Sequence, residues 1–260
     1  MKKIVLLAFT FASLVAGAQN LKLETGKTFK LTMTADGTVE MMGNENANKS
    51  TIISNIKITG LEKDLYTGTT TVTKKTMSGS MMGQDMSFDS DKKEDMDGQM
   101  GQFLGNDINK EIKVTVDKNT GISKVVSEES DGGMGKMMGG GSTNISIFYP
   151  GAIGKKAGDK WTENAEEDGI KTITNYEVKS VNGNVITLAA SSTTKGSTSK
   201  EMNGQSMDLA IDSKSTSTLI IDGLTGILKQ STTELEMTTS IEGPQSMVIG
   251  NKSKNTLVVE

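Results

Sequence analysis

The stretch KTITNYEVKSVNGNVITLAASST, residues 171–193, decides how the rest of the chain is read. Asn182-Gly183 stands between two apolar runs, the strongest short-range signal for a β-hairpin. A second signal of the same kind precedes it, since Asp168-Gly169 in NAEEDGIKTIT reads as another tight turn. Earlier, KTFKLTMT (27–34) alternates, with Phe29, Leu31 and Met33 on one face. IKVTV and STLIIDG read likewise, and each runs into a turn, Asp117–Gly121 and Asp222–Gly226. The sum is about a dozen antiparallel strands at meander spacing. Composition agrees: threonine and serine are abundant, aromatics are 4% and hydrophobic residues 34%, so the core is thin and built on pleated surfaces.

The pattern recurs along the chain. STIISNIKITGLEKDLYTGTTTV (50–72), MMGQDMSFDSDK (81–92) and IKVTVDKNTGISKVV (112–126) are matched by residues 171–193, MNGQSMDLAIDSK (202–214) and STLIIDGLTGILKQS (217–231). ETGKTFKLT (24–32) and KAGDKWTEN (156–164) open the two sets. The expected fold is therefore mainly β, with two repeated antiparallel β-meander halves as curved, half-barrel-like sheets. The first half carries an insertion around 92–110. There Met96, Met100, Phe103 and Leu104 make a helical stripe, Asp91 and Glu94 resemble a capping box, and Gly105 suits the stop, so one short helix is expected.

The N-terminus reads as a secretory signal peptide. A basic MKK precedes the apolar IVLLAFTFASLVAG, and Ala-Gly-Ala before Gln19 is a small-x-small cleavage site. Cleavage after Ala18 leaves 26 basic against 32 acidic residues, a net charge of about −6. A retained anchor is the alternative; the apolar run is short for a bilayer, and no later segment is apolar enough to span one. No cysteine follows, so lipoprotein processing is excluded. The expected parts are a signal peptide (1–18), a first β-rich half (19–130), a Gly/Met-rich linker (131–147) and a second β-rich half (148–260). The expected compartment is the periplasm or outside the cell.

Three absences narrow the chemistry. Without histidine the usual neutral-pH acid–base group is missing, and without cysteine there is no thiol nucleophile or disulfide. No arginine occurs either, so all 28 basic residues are lysine and bidentate phosphate recognition is lost. With net charge −4 and no basic stripe, nucleic acid is not an expected partner.

AGDKW (157–161), FDSDKKEDMDGQM (88–100) and VTVDKNTG (114–121) together resemble an uncharacterised domain-of-unknown-function family of exported, β-rich bacterial proteins. The resemblance implies no activity, no cofactor and no catalytic residue.

Four chemistries remain to be weighed. Thioethers suit a soft metal such as Cu(I), and the candidates are Met77, Met81 and Met82 with Met86, and Met134, Met137 and Met138. Packing is the competing reading, because Met82 and Met86 have counterparts in Met202 and Met207 at the matching turn. The acidic run Asp85, Asp89, Asp91, Glu94, Asp95, Asp97 lacks EF-hand spacing and suits a helix start instead. Ser-x-x-Lys occurs at 90–93, 192–195 and 197–200, the last two in strand or loop rather than at a helix start. Paired carboxylates could serve a hydrolase, but nothing selects two of them. The leading expectation is a non-enzymatic binding or scaffold module of the bacterial envelope, without a cofactor, whose partner is a lipid, a glycan or another envelope protein. A methionine-based copper protein is second, and a carboxylate-dependent hydrolase third.

Overall fold

A computed structural model describes residues 20–41, 43–81, 84–126, 146–167, 169–202, 205–242 and 246–260. Twelve strands form one antiparallel sheet. They are β1 (Thr28–Met41), β2 (Asn44–Glu62), β3 (Leu65–Met81), β4 (Gln84–Asp89), β5 (Glu111–Asp117), β6 (Ser123–Val125), β7 (Lys160–Glu167), β8 (Ile170–Asn182), β9 (Val185–Met202), β10 (Gln205–Asp222), β11 (Leu228–Glu242) and β12 (Met247–Val259). The order is β6-β5-β3-β2-β1-β12-β11-β10-β9-β8-β7, with β4 beside the far half of β3. The sheet does not close on itself, so β6 and β7 are its ends.

The expected hairpins form. Asn182 pairs with Val185 around Gly183, whose φ of 58° is the left-handed geometry an Asn-Gly turn uses. Glu167 pairs with Ile170 around Gly169 at φ 78°. The two Asp-x-x-Thr-Gly turns are built alike. Asp117 Oδ1 accepts the N–H groups of Asn119 and Thr120, and Asp222 Oδ1 those of Leu224 and Thr225. Gly121 and Gly226 both have φ 73° and donate back to the aspartate carbonyl at 2.8 Å. These carboxylates are held below the ordinary range. At Asp117 the Thr120 N–H is the leading cause; at Asp222 burial pulls upward, but Leu224, Thr225 and Lys229 outweigh it.

A second local match sits opposite these turns. Ile58 and Val178 are each buried at a bulge, and each exchanges backbone bonds with a Gly-Lys or Gly-Asp pair, Gly26-Lys27 or Gly158-Asp159. The likeness stays local. β1 pairs with β12 over eleven residue pairs, from Leu31–Val259 to Met41–Ile249, so a single sheet runs through both expected halves. Two repeated meanders as such are not established.

The insertion differs from expectation. In place of one helix there are two short ones, α1 (Lys93–Asp97) and α2 (Gln99–Leu104), split at Gly98. Gly98 is extended at φ −79°, ψ 176°, and its lack of side chain makes that break inexpensive. The capping box is not formed either: Lys92 occupies the N-cap position without a side-chain bond. Asp91 pairs instead with Lys74, and Asp95 accepts the Asp89 N–H at 2.8 Å. Phe103, expected in the apolar stripe, is 62% exposed. Lys75 Nζ ties the insertion down through Asp107 at 2.7 Å and the Leu104 carbonyl at 3.2 Å.

The core lies at one end of the strands, near the Lys63-Asp64 and Gly183-Asn184 turns. Phe29, Leu31, Ile58, Tyr66, Val116 and Val178 meet Leu188, Ile221 and Leu228 there, capped by Leu21, Leu23, Ile147 and Phe148. Phe29 and Phe148 cross edge to face, centroids 6.1 Å apart. The entering segment is fastened by one phenol: Tyr66 OH donates to the Leu21 carbonyl at 2.9 Å and accepts the Leu23 N–H at 3.1 Å. Strands of 13–19 residues then run on past this core. At about 3.4 Å per residue the longest spans roughly 60 Å, far more than the core covers.

Candidate binding face

Period-2 alternation assigns each strand residue to one of two faces. The face bearing Met33, Leu219 and Leu257 packs on the core; the opposite one faces outward. On that outward face six threonines stand directly across from one another on six adjacent strands. Thr218 is opposite Thr232, Thr232 opposite Thr256, Thr256 opposite Thr34, Thr34 opposite Thr51 and Thr51 opposite Thr76. At about 4.8 Å between strands the row covers roughly 24 Å. Cross-strand threonine pairs stabilise a sheet in their own right, so the row has a structural role whatever else it does.

Two grooves are pressed into the same face. The first, about 760 Å³, lies over β7–β11. A row of polar residues crosses it: Thr162, Asn175, Ser191, Thr216 and Glu234, each opposite the next. Thr162 Oγ1 donates to Asn175 Oδ1 at 2.8 Å. Lys160, Glu177, Thr218 and Thr232 line its other wall. Glu177 is held below the ordinary carboxylate range by Lys179 at 2.9 Å, with Lys160 adding to it. The second groove, about 510 Å³, continues across β10–β12 and β1 and shares Thr216 and Glu234 with the first. Here signs alternate: Glu234, Lys254 and Asp36 in one row, Lys214, Glu236 and Lys252 in the next. The face is thus rich in hydroxyls and charge-balanced. Its chemistry suits a ligand that accepts and donates many hydrogen bonds.

The core-facing side carries the aromatic residues. Trp161 stacks on Tyr176, centroids 4.8 Å apart and 16° from parallel. Trp161 Nε1 donates to Glu163 Oε1 at 3.2 Å, and Lys155 Nζ lies 5.4 Å from the indole centroid. Burial, then the Glu163 carboxylate, pushes the Tyr149 phenol up to about 12. Burial and the same carboxylate raise Tyr176, with Tyr149 contributing.

The residues singled out for metal binding are scattered or fall beyond the described residues. Met77 is half-buried on β3, opposite Phe88 and Ser50. Met81 ends β3 opposite Gln84, at the β3–β4 hairpin, as Met202 stands opposite Gln205 at the β9–β10 hairpin. Met82, Met134, Met137 and Met138 lie outside the described residues, as do residues 1–18 and 131–145. Among the described residues no group of three or more acidic side chains converges as a cation site. The acidic run is spent locally: Asp89 and Asp91 hold Lys74, whose ammonium is raised chiefly by Asp91. Ser90 Oγ accepts the Lys75 N–H at 3.0 Å, and Ser192 Oγ bonds Thr174 Oγ1 at 3.0 Å. Sequence reasoning missed the threonine row. The richness in threonine was plain, but which threonines align depends on register.

Comparison with known proteins adds a partial family match and little else. Residues 136–228 match a family of unknown function, DUF6263. That supports the resemblance drawn from the sequence, over a stretch running from before β7 to the start of β11. No curated protein matches. Solved structures with similarity include DynF from the dynemicin biosynthesis pathway of Micromonospora chersina, 9% identical, TM-score 0.25, covering 94% of this chain and 86% of that one. Neisserial surface protein A is 9% identical at TM-score 0.22, covering 90% and 99%, and Pseudomonas aeruginosa OpdQ 6% at 0.24, covering 92% and 99%. Scores so low set neither architecture nor function. No helix among the described residues is long and apolar enough to cross a membrane.

Proposed function

We propose that this is an exported, non-enzymatic binding module of the bacterial envelope, and that its ligand is a glycan chain lying along the outward face of β7–β12 and β1. The observation that carries the reading is the pair of connected grooves, about 760 and 510 Å³, lined by threonine, serine, asparagine and balanced charges. A sugar chain presents hydroxyls at short intervals together with apolar ring C–H faces, which matches a wall of hydroxyls, methyls and paired charges. Signal cleavage after Ala18 puts the protein where such chains occur.

The test is calorimetric titration of the mature protein with chito-oligosaccharides of increasing length and with solubilised peptidoglycan strands. The expected result is saturable binding that tightens with chain length. Replacing Thr216 and Thr218 together by valine keeps the β-branch and removes two hydroxyls; at roughly 0.5–1.5 kcal/mol per hydrogen bond it weakens binding about 5- to 150-fold. A lipid found by native mass spectrometry on protein purified from its host, with no glycan response, refutes the reading.

A further inference from the structure

β7 is the last strand of the sheet and, among the described residues, has β8 as its one strand neighbour. Its eight residues, KWTENAEE, leave one edge of backbone N–H and C=O groups facing away from β8. A free edge of this length is a template for another strand unless something discourages it. Here the discouragement is selective. Glu163 and Glu166 lie on the strand with Lys160, Glu166 standing opposite Lys171 of β8. An acidic incoming strand would set carboxylates against carboxylates, which costs stability across a strand pair. A basic strand would meet opposite charge instead.

The core-facing side of β7 shows what a cation does there. Lys155, from the loop before β7, already rests 5.4 Å from the Trp161 centroid. Glu163, two residues on, accepts the Trp161 Nε1 hydrogen at 3.2 Å. An indole face and a fixed carboxylate on adjacent same-face positions attract an ammonium or guanidinium group. We propose that the β7 edge accepts an extended, lysine- or arginine-bearing segment of another protein as an added strand, one basic side chain taking Lys155's place over the Trp161 indole, whose Nε1 holds Glu163. The proposal stands apart from the glycan reading, since it uses the sheet edge rather than the outward grooves.

Trp161 is the sole tryptophan, so its emission reports on this edge directly. The mature protein is titrated with an eight-residue alternating Thr/Lys peptide, a Thr/Glu analogue, and the Thr/Lys peptide N-methylated at alternate amides. The expected result is a saturable emission change with the lysine peptide and none with the other two. Glu163→Gln should weaken binding about two- to fivefold, the size of one cross-strand charge pair. Lys155→Met, which removes the internal competitor, should strengthen it. No saturable change with the lysine peptide overturns the proposal. So does an equal response to the N-methylated peptide, which would show adsorption without strand pairing. Concentration-dependent dimerisation with a matching emission change, in the absence of peptide, overturns it in favour of a second copy.

Discussion

The fastening of the entering segment by Tyr66 gives the sharpest test of how the core is closed. Leu21 is fully buried and Leu23 is 9% exposed, and both reach the core ahead of the first strand. Tyr66→Phe deletes one oxygen and leaves the ring in place. The Leu23 N–H and the Leu21 carbonyl then lose their shared partner. Two ordinary hydrogen bonds amount to about 1–3 kcal/mol, and leaving both groups buried without partners puts the cost toward the upper end. There is a ceiling. If the orphaned groups cost more than the segment's burial is worth, the segment peels away. What is then lost is the burial of two leucines, about 1.5–3 kcal/mol each, together with the Leu21 N–H bond to Lys118. The expectation is a loss of about 2 kcal/mol, a fall in Tm of roughly 4–8 °C for a chain this size. Urea unfolding of the two proteins side by side measures it, and the slope separates the outcomes. An unchanged m means the segment stays and the groups are orphaned, whereas a smaller m means it has detached and less surface remains to expose. A loss below about 0.5 kcal/mol with unchanged m would refute the reasoning, since the phenol would then be replaceable by water at a site described as buried.

Two pH-dependent predictions follow from the aspartate turns and the tyrosines. Asp222 has a folded-state pKa below its ordinary 3.8, so its contribution is present above that value and is lost as pH falls through the folded one. Asp222→Asn keeps the Oδ1 acceptor and should flatten the acid limb of a stability–pH profile, while Asp222→Ala should also cost about 1–2 kcal/mol at pH 7 through two unpaired N–H groups. Tyr149, raised to about 12, has the opposite sign: its contribution is present below 10 and is lost as pH rises from 10 through 12. Absorbance titration at alkaline pH should show delayed phenolate formation, and Tyr149→Phe should remove part of the alkaline fall in thermal stability.

What was legible in the sequence follows from the range of the interactions involved. The Asn182-Gly183 and Asp168-Gly169 hairpins and the two Asp-x-x-Thr-Gly turns depend on residues within five positions of each other, and they form where expected. The alternation of Phe29, Leu31 and Met33 likewise needs one strand alone. The helical insertion was misread because Gly98 sits inside an otherwise good stripe. A glycine there weakens a helix, but whether it breaks one depends on what the flanking turns can reach, and here Lys75 reaches across from β3 to take Asp107 and the Leu104 carbonyl. The sheet order was legible along β1–β3 and β7–β12, where neighbours follow chain order as a meander, but not at the seam that joins them. The β1–β12 pairing joins residues more than two hundred positions apart, and no local preference encodes it.

That pairing also explains why the threonines matter where they do. Among the described residues nothing packs over the outward face of β9–β12 and β1–β3, so there each strand is held by its neighbours. The side chains there fit this need: threonine opposite threonine along one row, and Lys195 with Asp212 or Lys252 with Glu236 along the next ones. Each pair contributes only a few tenths of a kcal/mol to about 1 kcal/mol, but a row of five pairs repeats the gain across every seam. A one-residue slip at any seam would turn that row inward and bring Met33, Leu219 or Leu257 out to solvent, so the buried end of the sheet fixes the register of the exposed end. The polar face is therefore presented in a fixed array, its threonine row lying directly behind the core-facing Met33, Leu219 and Leu257 of the same strands. A rigid array of hydroxyls needs no ordering when it meets a ligand, which is the condition under which many weak contacts add up to useful affinity.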